Sequence, residues 1–197
     1  MAPRKQAIIA QHPPQGSGST PRQGPASVLV QVFPPFRARV SLERLKELAL
    51  AALAVGRAPD GPMAESQPLA LGVVIADDET VRDLNHLYRG LDETTDVLAF
   101  SPVHAGPYEG ESEPPPPPEI AFPQVEGLEE DLGEVVVAFP QAERQATQGS
   151  RATADEVDLL VVHGVLHLLG HDHAEPDQER TMQELERAAL AQVGPGR

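Results

Sequence analysis

His163-Gly-Val-Leu-His167-Leu-Leu-Gly170-His-Asp-His173 sets three histidines at fixed intervals within eleven residues. Residues four apart on a helix lie one turn apart on the same face, so His163 and His167 point the same way. Gly170 supplies a residue that takes positive φ and ends the helix. The returning chain then brings His173 towards the first pair. Three imidazoles converging on one point make a metal site with one position left open. That is the arrangement of a catalytic zinc, because a structural zinc is normally closed by a fourth protein ligand.

The metzincin protease pattern has histidine at its first, fifth and eleventh positions and glycine at its eighth. His163, His167, His173 and Gly170 occupy those positions. Gly164 stands where the proteases carry a general-base glutamate, so the ligand spacing is kept while the usual base for peptide hydrolysis is missing. The plainer alternative, a histidine satisfied within ordinary structure, suits lone residues such as His86 and His104. It does not suit His163 and His167. They lie in the apolar run from Val161 to Leu169, where an imidazole costs free energy to bury unless it gains a partner. His171 falls outside the spacing and reads as an exposed turn residue.

A chain of 197 residues has room for one ordinary domain with extensions and a sizeable core. No apolar run approaches the ~20 residues that span a bilayer, and none after the opening Met-Ala-Pro-Arg-Lys-Gln is long enough for a secretory signal. The absence of cysteine excludes disulfides and leaves histidine and carboxylate as metal donors. A soluble, cytoplasmic protein is expected, with no membrane partner. The net charge of −15 speaks at first against a nucleic-acid partner. Yet eight acidic side chains and no Lys or Arg fall within residues 104–131. More than half of the excess negative charge is confined there, so net charge leaves the partner open.

Residues 1–27, rich in Pro, Gly, Gln and Ser, read as a disordered tail ahead of a domain spanning 28–193. Strands are predicted at Val28–Phe33, Leu69–Ile75, Asp96–Phe100 and Gly133–Phe139 from their β-branched and apolar character. Ser41 caps a helix whose apolar face includes Leu45, Leu48, Ala49 and Ala52, and residues 56–67 form a loop. A second helix starts at Asp77 and Asp78 and runs to Arg89, where Gly90 stops it. The insert at 104–131, with five prolines from Pro114 to Pro118, is a solvated, polyproline-like linker. Pro140 opens a short helix. Thr153 and Glu156 have capping-box spacing at the start of the histidine helix. A last amphipathic helix covers Pro176 to Val193, with Met182, Leu185 and Ala189 facing the core. Strands mixed with helices, without an internal repeat, make a small α/β (α+β) domain.

The histidine motif has a companion upstream. Leu84-Asn-His-Leu-Tyr-Arg-Gly-Leu-Asp-Glu-Thr-Thr-Asp-Val-Leu-Ala-Phe100, the strand Leu132-Gly-Glu-Val-Val-Val and the histidine motif together closely resemble the YbeY family of bacterial rRNA maturation factors. The likeness covers residues 28–193 apart from the insert. It implies a central four-stranded mixed sheet flanked by helices, with zinc bound at the glycine-terminated helix by His163, His167 and His173. It also implies a single-strand-specific endoribonuclease acting in maturation of the 16S rRNA 3′ end and in ribosome quality control. The partners implied are rRNA, the small ribosomal subunit and its assembly factors. The family's functional arginine in Tyr-Arg-Gly matches Arg89. Thr94 stands where that block often has proline and Ala99 where serine is frequent, so a role for that serine hydroxyl does not carry over.

Three neutral imidazoles would leave zinc its full charge, enough to lower the pKa of bound water to about 7 and to stabilise negative charge on a phosphodiester. Arg89 offers planar, permanently charged donors suited to phosphate oxygens; its alternative is a surface ion pair with Asp92 or Asp96. Asp172 can orient a histidine ligand from behind or cap the turn after Gly170. No side chain stands out as a general base, and water and the RNA 2′-hydroxyl both qualify as nucleophile. Three histidines also accept nickel or another divalent ion. Two functions fit: a zinc-dependent endoribonuclease, or a non-catalytic ribosome-assembly factor whose zinc anchors the helix and turn. A metalloprotease is disfavoured by Gly164.

Overall fold

Runs of valine, leucine and alanine buried on both faces build the centre of the molecule. The computed structural model describes residues 9–10, 26–57, 69–101 and 130–195. Among these, β1 (Ile9–Ala10), β2 (Ser27–Val32), β3 (Leu69–Ala76), β4 (Val97–Phe100) and β5 (Glu130–Ala138) form one sheet in the order β1-β4-β5-β3-β2. The pairs β2/β3, β3/β5 and β1/β4 are parallel and β4/β5 is antiparallel. The four expected strands are present in a mixed sheet. The addition is β1, two residues of the expected disordered tail that pair with Ala99 and Phe100 at the sheet edge. The rest of that tail up to residue 25, most of the 56–67 loop, His104 and the proline run lie outside the described residues.

Alternation along the strands sorts side chains between two faces. Val73, Ile75, Val97, Ala99, Val135 and Val137 join the larger core, which is shared with α1 (Leu42–Gly56), α4 (Thr153–Leu168) and α5 (Pro176–Val193). Val74, Leu98, Phe100 and Val136 face the other way, against Val81 and Leu84 of α2 (Asp78–Arg89). The remaining helix, α3 (Phe139–Gln148), follows β5 directly and is opened by Pro140. The helix signals in the sequence mostly act as expected: Ser41 accepts from the Arg44 backbone, Asp77 caps α2 at Thr80, and Gly90 ends α2 at φ 72°. Leu185 is partly buried against the larger core beside Met182 and Ala189.

The capping box at Thr153 does not form. Ala152 is the N-cap of α4 and makes no side-chain cap. Glu156, only 2 % exposed, turns instead to Arg151 in an ion pair at 2.5 Å, since a buried carboxylate needs a counter-charge more than a helix end does. No helix among the described residues is long and apolar enough to cross a membrane.

Candidate metal centre

From Leu160 to Leu168 every residue of α4 is buried, because the helix lies on β4 and β5 with α1, α3 and α5 around it. Gly164 shows how closely it lies. A Cβ there would come 2.5 Å from Val135 Cγ1 and 3.2 Å from Val97 Cγ2. Only glycine lets the helix settle on the sheet at this point, so the protease glutamate is excluded by packing at that position.

His163 and His167 leave the same side of α4 as their spacing requires, with their Nε2 atoms 3.0 Å apart. The helix ends in a Schellman turn. Gly170 takes φ 88°, its N–H donates to His167 O, and His171 N–H donates to Leu166 O. This reversal carries His173 back over the pair, with its ring centroid 5.3 Å from that of His163 and 5.1 Å from that of His167. The three ligand atoms all lie within 4.8 Å of one another. Tetrahedral ligands at zinc distances of about 2.0–2.1 Å are about 3.3 Å apart, a separation this cluster brackets.

Hydrogen bonding tests whether the residues fit a cation. Glu186 Oε1 lies 2.7 Å from His163 Nδ1, so a carboxylate there accepts from Nδ1–H and leaves the Nε2 lone pair facing the cluster. His173 Nε2 is buried without a hydrogen-bond partner. His167 is held neutral, its pKa pushed down to about 3, first by burial and then by repulsion from His163 and His173. Imidazole nitrogens converging in a buried place are what a divalent cation satisfies. The donor set fits zinc.

The other site candidates lie elsewhere. Asp172 Oδ1 accepts from the His173 backbone N–H at 2.7 Å, a bond that braces the turn. His171 is not an exposed turn residue: half-buried, it places Nε2 2.7 Å from Gly56 O and ties the end of α4 to the open carbonyl end of α1. His86 is exposed on α2. Arg89 is not on the surface but 7 % exposed at the last turn of α2, a helix on the opposite sheet face from α4. Asp92 pairs with Arg82 instead, through bonds of 2.6 and 2.8 Å. Asp96 accepts from Val97 N–H and from Gln145 Nε2. Residues 90–96 then lead to Val97, which lies directly beneath Gly164.

Glu186 is the residue that sequence reasoning missed. It falls between Met182 and Ala189 on the buried stripe of α5, and a carboxylate at a core-facing position was the available signal.

A family model described as Endoribonuclease YbeY matches residues 38–194. A protein of that name from Dehalococcoides mccartyi is 40 % identical over 167 residues, covering 83 % of this chain and 88 % of its own. Another from Salinispora tropica is 42 % identical over 141 residues, covering 72 % and 85 %. A solution structure of TM1509 from Thermotoga maritima aligns over 84 % of this chain and 91 % of its own, with TM-score 0.47 and 18 % identity. The sequence matches are the closer likeness.

Proposed function

We propose that this chain, which belongs to the endoribonuclease YbeY family, cuts single-stranded RNA at a zinc ion held by His163, His167 and His173. The observation that carries the reading is the convergence of three imidazoles, with His173 Nε2 buried and lacking a hydrogen-bond partner. When bound, the ion supplies a Lewis acid on the open side of the three rings. The chain's own contribution is to keep His167 neutral and all three rings aimed. Burial keeps His167 unprotonated far below neutral pH, and the Schellman turn holds His173 over the pair.

Arg89 is assigned the phosphate. Its guanidinium presents fixed donors matched to phosphate oxygens and never loses its charge. Loop 90–96 runs from it to the strand beneath the histidine helix. Gly164 leaves no protein base at the protease position, which favours RNA, a substrate that carries its own 2′-hydroxyl, over peptide. The substrate class we assign is the small-subunit rRNA precursor at its 3′ end, with the small ribosomal subunit and its assembly factors as partners, ribosome quality control as a second duty and the cytoplasm as the compartment. Asp172 is assigned to the turn that positions His173.

The decisive experiment is cleavage of a small-subunit rRNA precursor fragment by zinc-loaded protein, beside His163→Ala and Arg89→Ala, with folding of each followed by circular dichroism. Folded variants should lose cleavage. Full cleavage by both would refute the proposal. An inactive but zinc-stabilised wild type would point to the assembly-factor role.

A further inference from the structure

We infer that Glu186 is a positioning residue for the metal centre, fixing the tautomer and aim of His163 from α5. The inference rests on the proposed metal site and adds a residue outside the histidine motif. His163 and Glu186 side chains are 9 % and 8 % exposed and meet at 2.7 Å. A carboxylate at a core position of a helix is strongly unfavourable unless its charge is matched by hydrogen bonds. Met182 and Ala189, on the same stripe, are ordinary core residues. Glu186 meets the His163 ring at Nδ1, the nitrogen facing away from the cluster.

The consequence is chemical as well as steric. With its proton held on Nδ1 by a carboxylate, His163 has its lone pair on Nε2, 3.0 Å from His167 Nε2. Partial transfer of negative charge into the ring makes Nε2 a stronger donor to a cation. Carboxylates behind metal-binding histidines act this way, and losing one commonly weakens metal binding 10–100-fold (~). Asp172 does not fill this place, because its Oδ1 is engaged by the His173 backbone. Metal affinity is thereby coupled to the seating of α5, which packs on α1 and α4.

The test is zinc affinity of the full chain, measured by competition with a chromophoric chelator, for wild type, Glu186→Gln, Glu186→Ala, Glu184→Gln and His163→Ala. Nitrogen NMR of the histidine rings in metal-free protein reports the tautomer. Glu186→Gln keeps the shape and one acceptor, so it should fold and weaken binding by about 10-fold, with Glu186→Ala weaker still, near 100-fold. The His163 ring should lose its preference for the Nδ1–H form in Glu186→Ala. Glu184→Gln, at an exposed carboxylate on the same helix, should bind within about twofold of wild type. If Glu186→Ala fails to fold, Glu186→Gln decides. Zinc binding by Glu186→Gln at wild-type affinity, with the His163 tautomer unchanged, overturns the inference. Wild type binding zinc no better than His163→Ala would instead defeat the metal site itself.

Discussion

Gly164→Ala opposes two effects of known sign, so its outcome tests how α4 sits on the sheet. In an isolated helix the change should stabilise by about 1 kcal/mol, because alanine loses less backbone freedom than glycine. Here the new Cβ would meet Val135 Cγ1 at 2.5 Å, Val135 Cγ2 at 3.0 Å and Val97 Cγ2 at 3.2 Å. Carbon atoms prefer about 3.5–4.0 Å. Val135 cannot yield easily: it is fully buried in β5, between β3 and β4, and its branched side chain is stiff about χ1. The helix must lift instead, at a typical overpacking cost of about 1–3 kcal/mol. We expect a net destabilisation of about 1 kcal/mol, or about 2–4 °C in Tm for a chain of this size. Urea unfolding of metal-free protein measures it. Val135→Ala alone should destabilise by opening a cavity, and the double variant should fall short of the sum by about 1 kcal/mol or more, since the deleted methyls are the ones in the way. A Gly164→Ala protein as stable as wild type, or an additive cycle, would refute this account.

Three further outcomes follow from the same contacts. Burial, and secondarily Asp131, pushes the Glu134 carboxyl up to about 8 from an ordinary 4.5; the native state then holds a proton the unfolded chain has lost, so this group's contribution to stability falls as pH rises from about 4.5 through about 8. Glu134→Gln should therefore match wild type near pH 4 and exceed it increasingly up to pH 9 in urea midpoints, and parallel pH curves would refute the burial. Gly170→Ala forces a side chain into the left-handed region at φ 88°, costing about 1–2 kcal/mol and displacing His173, so thermal melts and chelator competition should both show a loss. Arg44 meets Asp158 at 2.6 Å, and Asp158 is 5 % exposed; Arg44→Leu strands that carboxylate and should cost about 3–5 kcal/mol at pH 7.5, most of it recovered by adding Asp158→Leu.

What could be read from the chain without its structure is what depends on near neighbours. The i, i+4 histidines, the Gly170 turn, the caps at Ser41 and Asp77 and the apolar runs of the strands are local rules, expressed wherever those residues occur. The family itself was legible for the same reason, since its motifs are short and contiguous. Features set by distant partners were not legible. Thr153 and Glu156 had the spacing of a capping box, but packing of the core buried Glu156 and left its carboxylate to Arg151. His171 looked idle until α1 ended beside it with Gly56 O exposed to its ring. Arg89 looked like a surface charge until α2 folded its last turn inward. Gly164 read as a missing base, and its reason, Val135 on a strand 29 positions earlier, lies across the core. Glu186 comes from another helix altogether. Sequence alone therefore determined that three imidazoles would converge, because helix pitch and one glycine suffice. Only tertiary packing decided which carboxylate stands behind them and how close the helix lies to the sheet, because both depend on groups that meet only once the core has closed.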